Sequence, residues 1–274
     1  MSMKKDIILL DGSAGTALWQ MAEAEGAEKL PVWRYNIEKP HLVLELHRRY
    51  IEAGSKYIQT NTFSANVPAV EREGRYSAEE VIAAAVELAR QATEGTDVKF
   101  YLSFGPLSAL LSPYGKLTEA ECREIYGRML RAGAEAGAEL VALETFMDLR
   151  MLRIAADCAR EAGLKFIASM TFEKRRRTMM GDTIEKICAS MEEAGAMAVG
   201  MNCSYGPVKA YEIIKSFSEN TRLPLYYKPN AGMGEGYDAQ QFAREVEPAL
   251  ELVSFVGGCC GCDESYIKEL GKLL

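Results

Sequence analysis

Glu193-Ala194-Gly195 is followed at once by the apolar run Ala196-Met197-Ala198-Val199-Gly200-Met201 and then by Asn202-Cys203-Ser204. The stretch reads as the end of a helix, a strand, and the polar residues that leave the strand. Glycine just past a helix adopts the left-handed conformation that residues with a Cβ resist, so Gly195 marks a helix stop. The same triplet recurs at Glu52-Ala53-Gly54, Glu135-Ala136-Gly137 and Glu161-Ala162-Gly163, each time closing a helix-like stretch ahead of an apolar run. Repeated helix–glycine–strand joints predict βα units and a parallel sheet.

Working outward, eight apolar runs have strand length: Ile7–Leu10, Lys56–Thr60, Lys99–Ser103, Leu140–Glu144, Phe166–Met170, Ala196–Met201, Leu225–Lys228 and Val253–Val256. Amphipathic segments separate them. Leu42, Leu46, Tyr50 and Ala53 lie on one face of a helix. Ser77 with Glu80 and Thr118 with Glu121 have capping-box spacing and open two further helices. Eight strands alternating with eight helices predict an α/β fold, a single (β/α)₈ TIM barrel, with an open doubly wound sheet as the competing arrangement. Pro68 to Arg75 and Gly232 to Tyr237 read as loops. No stretch reads as an interdomain linker, so residues 1–274 are expected to form one domain.

Composition excludes several function classes. The 274 residues are 48% hydrophobic and 26% charged, with a formal net charge of −7. A globular enzyme or binding domain fits; a nucleic-acid partner does not, because phosphate backbones are bound mainly by clustered Lys and Arg. The basic run Lys174-Arg175-Arg176-Arg177 is short, sits beside Glu173, and reads as a solvated loop. Only four apolar residues, Ile7 to Leu10, follow the amino-terminal lysines. No secretory signal or membrane span is expected, and the cytoplasm is the expected compartment. The seven cysteines are too sparse for a disulfide scaffold; clustered cysteines in a reducing compartment more often bind metal or do chemistry.

In such a barrel the chemistry sits at the carboxyl ends of the strands. Cys203 ends the sixth predicted strand and Cys259-Cys260 end the eighth, so three thiols can reach the barrel mouth. Soft sulfur ligands suit Zn²⁺, and three protein ligands leave the fourth position of a catalytic site open. Three other readings fit the same spacing: a closed four-cysteine site completed by Cys262, a vicinal Cys259–Cys260 disulfide, or packed thiols. Cys122, Cys158 and Cys188 fall in predicted helices and read as small buried hydrophobes. Asp11 and Glu144 end apolar strands, where an unpaired charge is costly. Each either grips a cationic ligand group or pairs with a Lys or Arg of the fold. His41 and His47 lie at or in the first predicted helix, on the wrong flank for a metal site. The glycines after strand one match neither the GxGxxG nor the P-loop phosphate pattern.

Taken in order, Leu10-Asp11-Gly12 with Gly15-Thr16, Thr60-Asn61-Thr62-Phe63, Glu144-Thr145, Gly200-Met201-Asn202-Cys203, Pro229-Asn230-Ala231-Gly232 and Gly257-Gly258-Cys259-Cys260-Gly261 resemble the homocysteine S-methyltransferase domain. The resemblance runs over almost the whole chain and includes Pro40-His41-Leu42-Val43 through His47, Tyr50 and Ala53-Gly54. It implies a (β/α)₈ barrel with zinc on Cys203, Cys259 and Cys260, homocysteine sulfur as fourth ligand, and no catalytic group beyond that zinc-activated thiolate. It also implies that Asp11 and Glu144 hold the substrate's amino group and that the backbone of Gly12, Ser13, Ala14 and Gly15 holds its carboxylate. Asn202 and Asn230, from the matching motifs, are assigned to the substrate as well.

Thr60-Asn61-Thr62-Phe63 followed by Asn66 is most similar to the acceptor domain of cobalamin-dependent methionine synthase. With no room here for a corrinoid module, the resemblance implies a methylcorrinoid protein on a separate chain as donor. S-methylmethionine or S-adenosylmethionine is the alternative donor, and a non-catalytic thiol-binding zinc barrel is the alternative function. The chain departs from the family at Cys262-Asp263-Glu264-Ser265 and in a shortened loop from Gly232 to Ala239.

Overall fold

The computed structural model describes residues 6–173, 176–231 and 236–274. Lys174 and Arg175 of the basic run, and much of the Gly232–Tyr237 loop, lie outside them. Eight parallel strands form the sheet: β1 (Ile8–Leu9), β2 (Tyr57–Gln59), β3 (Lys99–Phe104), β4 (Leu140–Phe146), β5 (Lys165–Met170), β6 (Ala198–Cys203), β7 (Leu225–Pro229) and β8 (Phe255–Val256). Consecutive strands pair from β2 to β8, and β8 pairs back onto β1. The remaining gap is spanned by a parallel bridge between Leu10 and Tyr57, with the Lys56 N–H donating to Leu9 O at 2.7 Å. The sheet is therefore a barrel, not an open doubly wound layer.

Gly54, Gly137, Gly163 and Gly195 all have positive φ, from 76° to 106°. Each turns the chain out of a helix and into the next strand, as the repeated triplet predicts. The helices are α1 (Ala14–Ala24), α2 (Tyr35–Glu38), α3 (Pro40–Glu52), α4 (Val67–Glu71), α5 (Ala78–Thr93), α6 (Glu119–Glu135), α7 (Leu149–Glu161), α8 (Ile184–Ala194), α9 (Pro207–Asn220), α10 (Ala239–Val246) and α11 (Glu264–Gly271). Both predicted capping boxes form, at the starts of α5 and α6. The expectation of eight helices needs correction. Among the described residues there are eleven, because α1, α2 and α4 are inserted after β1 and β2. Gly15, one of the glycines after strand one, lies in the first turn of α1, where alanines and Leu18 propagate the helix behind it.

Apolar side chains fill two layers. One packs the outside of the strands against the helices. The other, including Leu10, Tyr101, Leu140, Ala142, Ile167, Ala198, Tyr226 and Phe255, plugs the barrel interior. Side chains alternate across a strand, so the inward positions further toward the carboxyl ends include Gln59, Ser103, Glu144, Ser169, Asn202 and Lys228. A polar layer thus caps an apolar plug, and the site stands on it.

Candidate metal and substrate site

Cys203 at the end of β6 and Cys259 and Cys260 after β8 bring their three sulfur atoms within 4.8 Å of one another. The Cys203 and Cys260 sulfurs are 3.7 Å apart, and a tetrahedron with metal–sulfur bonds of about 2.3 Å has edges of about 3.8 Å. The backbone sets this geometry. The Cys259 N–H donates to Pro229 O at 2.9 Å, and the Cys260 N–H donates to Asn230 Oδ1 at 3.2 Å. Cys203 and Ser204 are held at φ of 54° and 61°, a conformation costly for residues with a Cβ and common at functional sites. The Ser204 hydroxyl accepts from the Phe172 N–H at 2.8 Å and lies 2.8 Å from Thr171 Oγ1, fixing that turn.

Hydrogen bonds from Cys203 and then Cys259 lower the Cys260 thiol to about 3, whereas bonds to Cys259 and Cys260 push the Cys203 thiol well up. A divalent cation among the three sulfurs would stabilise their thiolate forms together. Donor type and spacing fit a soft or borderline metal such as zinc.

Cys262 does not belong to that group. It is fully buried, with its thiol 3.9 Å from Pro229 O, and a Cβ on Gly258 would come within 2.6 Å of its sulfur. The closed four-cysteine arrangement is not formed, and all seven cysteines are free. Cys122, Cys158 and Cys188 are buried under the helices, as the sequence suggests.

Glu144 ends an inward face of β4, is 4% exposed, and lines a cavity of about 240 Å³ beside the three cysteines. Its Oε1 accepts from Ser103 Oγ, and its Oε2 accepts from Asn202 Nδ2 and Tyr226 OH, each at 3.3 Å. Burial raises its pKa, with Lys228 opposing. Asn202 links this carboxylate to the sulfur cluster. Its Oδ1 accepts from the Thr145 N–H at 2.8 Å and Ser169 Oγ at 2.7 Å, while Nδ2 also reaches Thr145 Oγ1 at 2.7 Å and Cys259 Sγ at 3.8 Å. Thr145, at φ 64°, is another strained non-glycine residue on this rim.

Asp11 is placed differently. It is 1% exposed, and its Oδ1 accepts from Lys228 Nζ at 3.0 Å and Tyr101 OH at 3.3 Å, while Oδ2 accepts from the Gln59 N–H at 2.7 Å. The pairing within the fold that competes with ligand binding is the one observed. Burial opposes the charge on Lys228, but Asp11, Tyr101 and Glu144 outweigh it and hold its pKa above the ordinary value. Lys228 lines the cavity; Asp11 does not. Sequence reasoning treated Lys228 only as a strand residue. The signal was its phase, two residues beyond the inward Tyr226 at the end of an apolar run.

Gly12 to Thr16 form another wall of the cavity. They lead into α1, whose N-cap Ser13 makes no side-chain cap and whose first turn holds no acidic residue. Its open N–H groups and positive dipole end therefore face the cavity. Tyr50 OH ties this loop to the cysteine loop, its one proton shared between Ser13 O at 2.8 Å and Cys262 O at 3.2 Å. Asn230 is not among the cavity-lining residues; its carbonyl oxygen is engaged with the Cys260 N–H. His47 is buried beneath the loop with Nε2 unpaired, and His41 lies on the surface near Glu25. Neither joins the cysteines.

The site is thus a (β/α)₈ barrel whose carboxyl face carries three convergent thiols that could hold a metal ion, beside a cavity lined by Glu144. Residues 8–274 match the family model described as Homocysteine S-methyltransferase, and the chain belongs to that family. It is 28% identical over 302 residues to the methionine synthase of Mycobacterium leprae (strain TN) and 27% identical over 301 residues to that of Mycobacterium tuberculosis (strain ATCC 25618 / H37Rv). Each alignment covers 98% of this chain but 24% of the relative, so the chain spans about a quarter of those proteins' length. The metallated form of the homocysteine methyltransferase MmuM from Escherichia coli has the same fold. Its TM-score is 0.84 at 23% identity, covering 98% of this chain and 96% of that one. No helix among the described residues is long and apolar enough to cross a membrane.

Proposed function

We propose that this chain, as one domain, transfers a methyl group to the thiol of homocysteine to give methionine, with zinc held by Cys203, Cys259 and Cys260. The observation that carries the reading is the three sulfurs within 4.8 Å of one another on the wall of a cavity that also holds Glu144. The metallated homocysteine methyltransferase MmuM of E. coli supports it by fold. When bound, zinc supplies a coordination position at which the acceptor thiol, with a free pKa of about 8.5, is a thiolate at neutral pH.

The chain's own residues bind and orient the acceptor. Glu144, steadied by Ser103, Tyr226 and Asn202, accepts from the amino group. The open N–H groups of α1 donate to the carboxylate. Held at both ends, the amino acid presents its sulfur in one direction, which removes much of the entropic cost of the bimolecular step. Its sulfur forms the new bond to the methyl carbon, the thiol proton is released, and the donor departs with the electron pair of the broken bond.

For the donor, a methylcorrinoid protein on a separate chain is the reading we favour. Among the described residues, Trp19, Phe63, Tyr114, Met179 and Val208 are the large apolar side chains exposed outside the chain end, and all lie in segments that leave the carboxyl ends of strands. Trp19 and Phe63 also line the cavity, and exposed apolar side chains at a cavity mouth suit a macromolecular partner better than a small solute. A second reading, a small sulfonium donor such as S-methylmethionine or S-adenosylmethionine, is favoured by the full-length match to a compact methyltransferase. A methyl-transfer assay crossing methylcorrinoid and sulfonium donors with several thiols, with and without a chelator, tests both. Chelator-sensitive methionine formation is expected; turnover with sulfonium donors alone removes the corrinoid reading.

A further inference from the structure

Resting on the methyltransferase reading above, we propose that Tyr50 is a positioning residue that locks the acceptor's carboxylate loop to the metal loop. Metal on the cysteines then raises affinity for the acceptor even when the acceptor has no sulfur to offer. Backbone bonds continue the pairing of β1 with β8 beyond both strands. The Leu10 N–H donates to Val256 O at 2.7 Å, the Gly258 N–H to Asp11 O at 3.1 Å, and the Ser13 N–H to Cys262 O at 2.9 Å. Asp11, Gly12 and Ser13 lead into α1, whose open first turn faces the cavity. Gly258 to Cys262 carry the metal-binding Cys259 and Cys260. The two loops are thus one hydrogen-bonded ladder.

Tyr50 closes that ladder from outside it. It projects from α3 and is 1% exposed, and its hydroxyl lies 2.8 Å from Ser13 O and 3.2 Å from Cys262 O. A hydroxyl has a single proton to donate, so the shared bond forms only while the two carbonyls lie side by side. Gly12 keeps that approach open: a Cβ there would overlap Cys262 O and come within 2.8 Å of the Tyr50 hydroxyl. A metal on Cys259 and Cys260 fixes the second loop, and the ladder with its tyrosine lock passes the order to the first. The acceptor then meets a loop with less freedom left to lose, which is positive coupling between two ligands. The coupling is reciprocal, so the acceptor raises metal affinity by the same factor.

The test titrates the full chain, metal-free and zinc-loaded, with L-2-aminobutanoate, which keeps homocysteine's ammonium and carboxylate but has no sulfur to bind zinc. Calorimetry should show zinc tightening its binding at least about fivefold, the worth of one buried hydrogen bond. Tyr50→Phe, which removes only the hydroxyl, should lose most of that gain while still binding one zinc. Gly12→Ala, which wedges the loops apart and keeps the hydroxyl, should lose it too, and decides the matter if Tyr50→Phe does not fold. Hydrogen exchange of the amides in residues 12–18 is read alongside: zinc should slow it in the native chain and not in the variants. This second reading decides if L-2-aminobutanoate binds too weakly to titrate. Equal affinity and equal exchange with and without zinc, in a native chain that methylates homocysteine normally, overturn this proposal and leave the methyltransferase reading intact. A gain as large in Tyr50→Phe as in the native chain contradicts the role of Tyr50. Failure of the zinc-loaded native chain to bind homocysteine overturns both.

Discussion

Lys228 Nζ lies 3.0 Å from Asp11 Oδ1 across the barrel interior, and each side chain is 1% exposed. The pair joins the first strand's end to the seventh's directly under the cavity. Removing one partner strands the other's charge in a low-dielectric core, at a cost of about 3–5 kcal/mol. Lys228→Met should therefore lower the urea midpoint sharply, and Asp11→Asn combined with Lys228→Met should recover much of the loss. Equal destabilisation in the single and double variants would show that the charges are not coupled.

Cys262→Ser separates an open metal site from a closed one. The Cys262 thiol is buried against Pro229 O and lies outside the three-sulfur group. The variant should keep one zinc per chain while losing about 1 kcal/mol of stability, the scale of a polar swap at a site where a carbonyl can still accept. Zinc analysis checks it; loss of the metal would point to a fourth protein ligand.

Asn202→Ala should separate orientation from metal content. The side chain touches Glu144, Thr145 and Cys259 at once. Supporting residues of this kind typically contribute about 10–100-fold in activity or metal affinity. At saturating zinc the expected outcome is a drop of about 10–100-fold in kcat/KM for homocysteine with zinc still bound. Unchanged kinetics would relegate Asn202 to packing.

Much of this molecule was legible in its sequence, for physical reasons. The Glu-Ala-Gly triplets encode φ values that favour glycine, and apolar runs of strand length between amphipathic segments encode a parallel barrel. All eight predicted strands are present, with ends shifted by a residue or two. The three convergent cysteines were visible because they end the sixth and eighth predicted strands, whose carboxyl ends share the barrel mouth. Two things were not visible. The insertion of α1 after β1 is hidden by a glycine inside its first turn. The partner of Asp11 is 217 residues away, and a contact made across a closed barrel leaves no local trace beyond the inward phase of a lysine.

His47 gives the fold a pH dependence. Burial lowers its pKa to about 4, from an ordinary 6.5. Between these values the unfolded chain binds the proton and the folded one does not. The contribution is thus present above about pH 6.5 and is lost as pH falls toward 4. From pH 7 to pH 5 this group alone should cost about 2 kcal/mol. Denaturant titrations at the two pH values, compared with the same pair for His47→Leu, check it: the variant should show a difference smaller by about that amount. Equal pH responses would mean that His47 is protonated in the fold.

The central claim is that three chain sulfurs share a metal that still has room for the acceptor. Zinc-edge X-ray absorption on the zinc-loaded protein, recorded without and then with homocysteine, tests this most directly. The account predicts three sulfur neighbours at about 2.3 Å plus a lighter atom, becoming four sulfur neighbours when homocysteine is added. Four sulfurs before any thiol is added, or a first shell that homocysteine leaves unchanged, would contradict it.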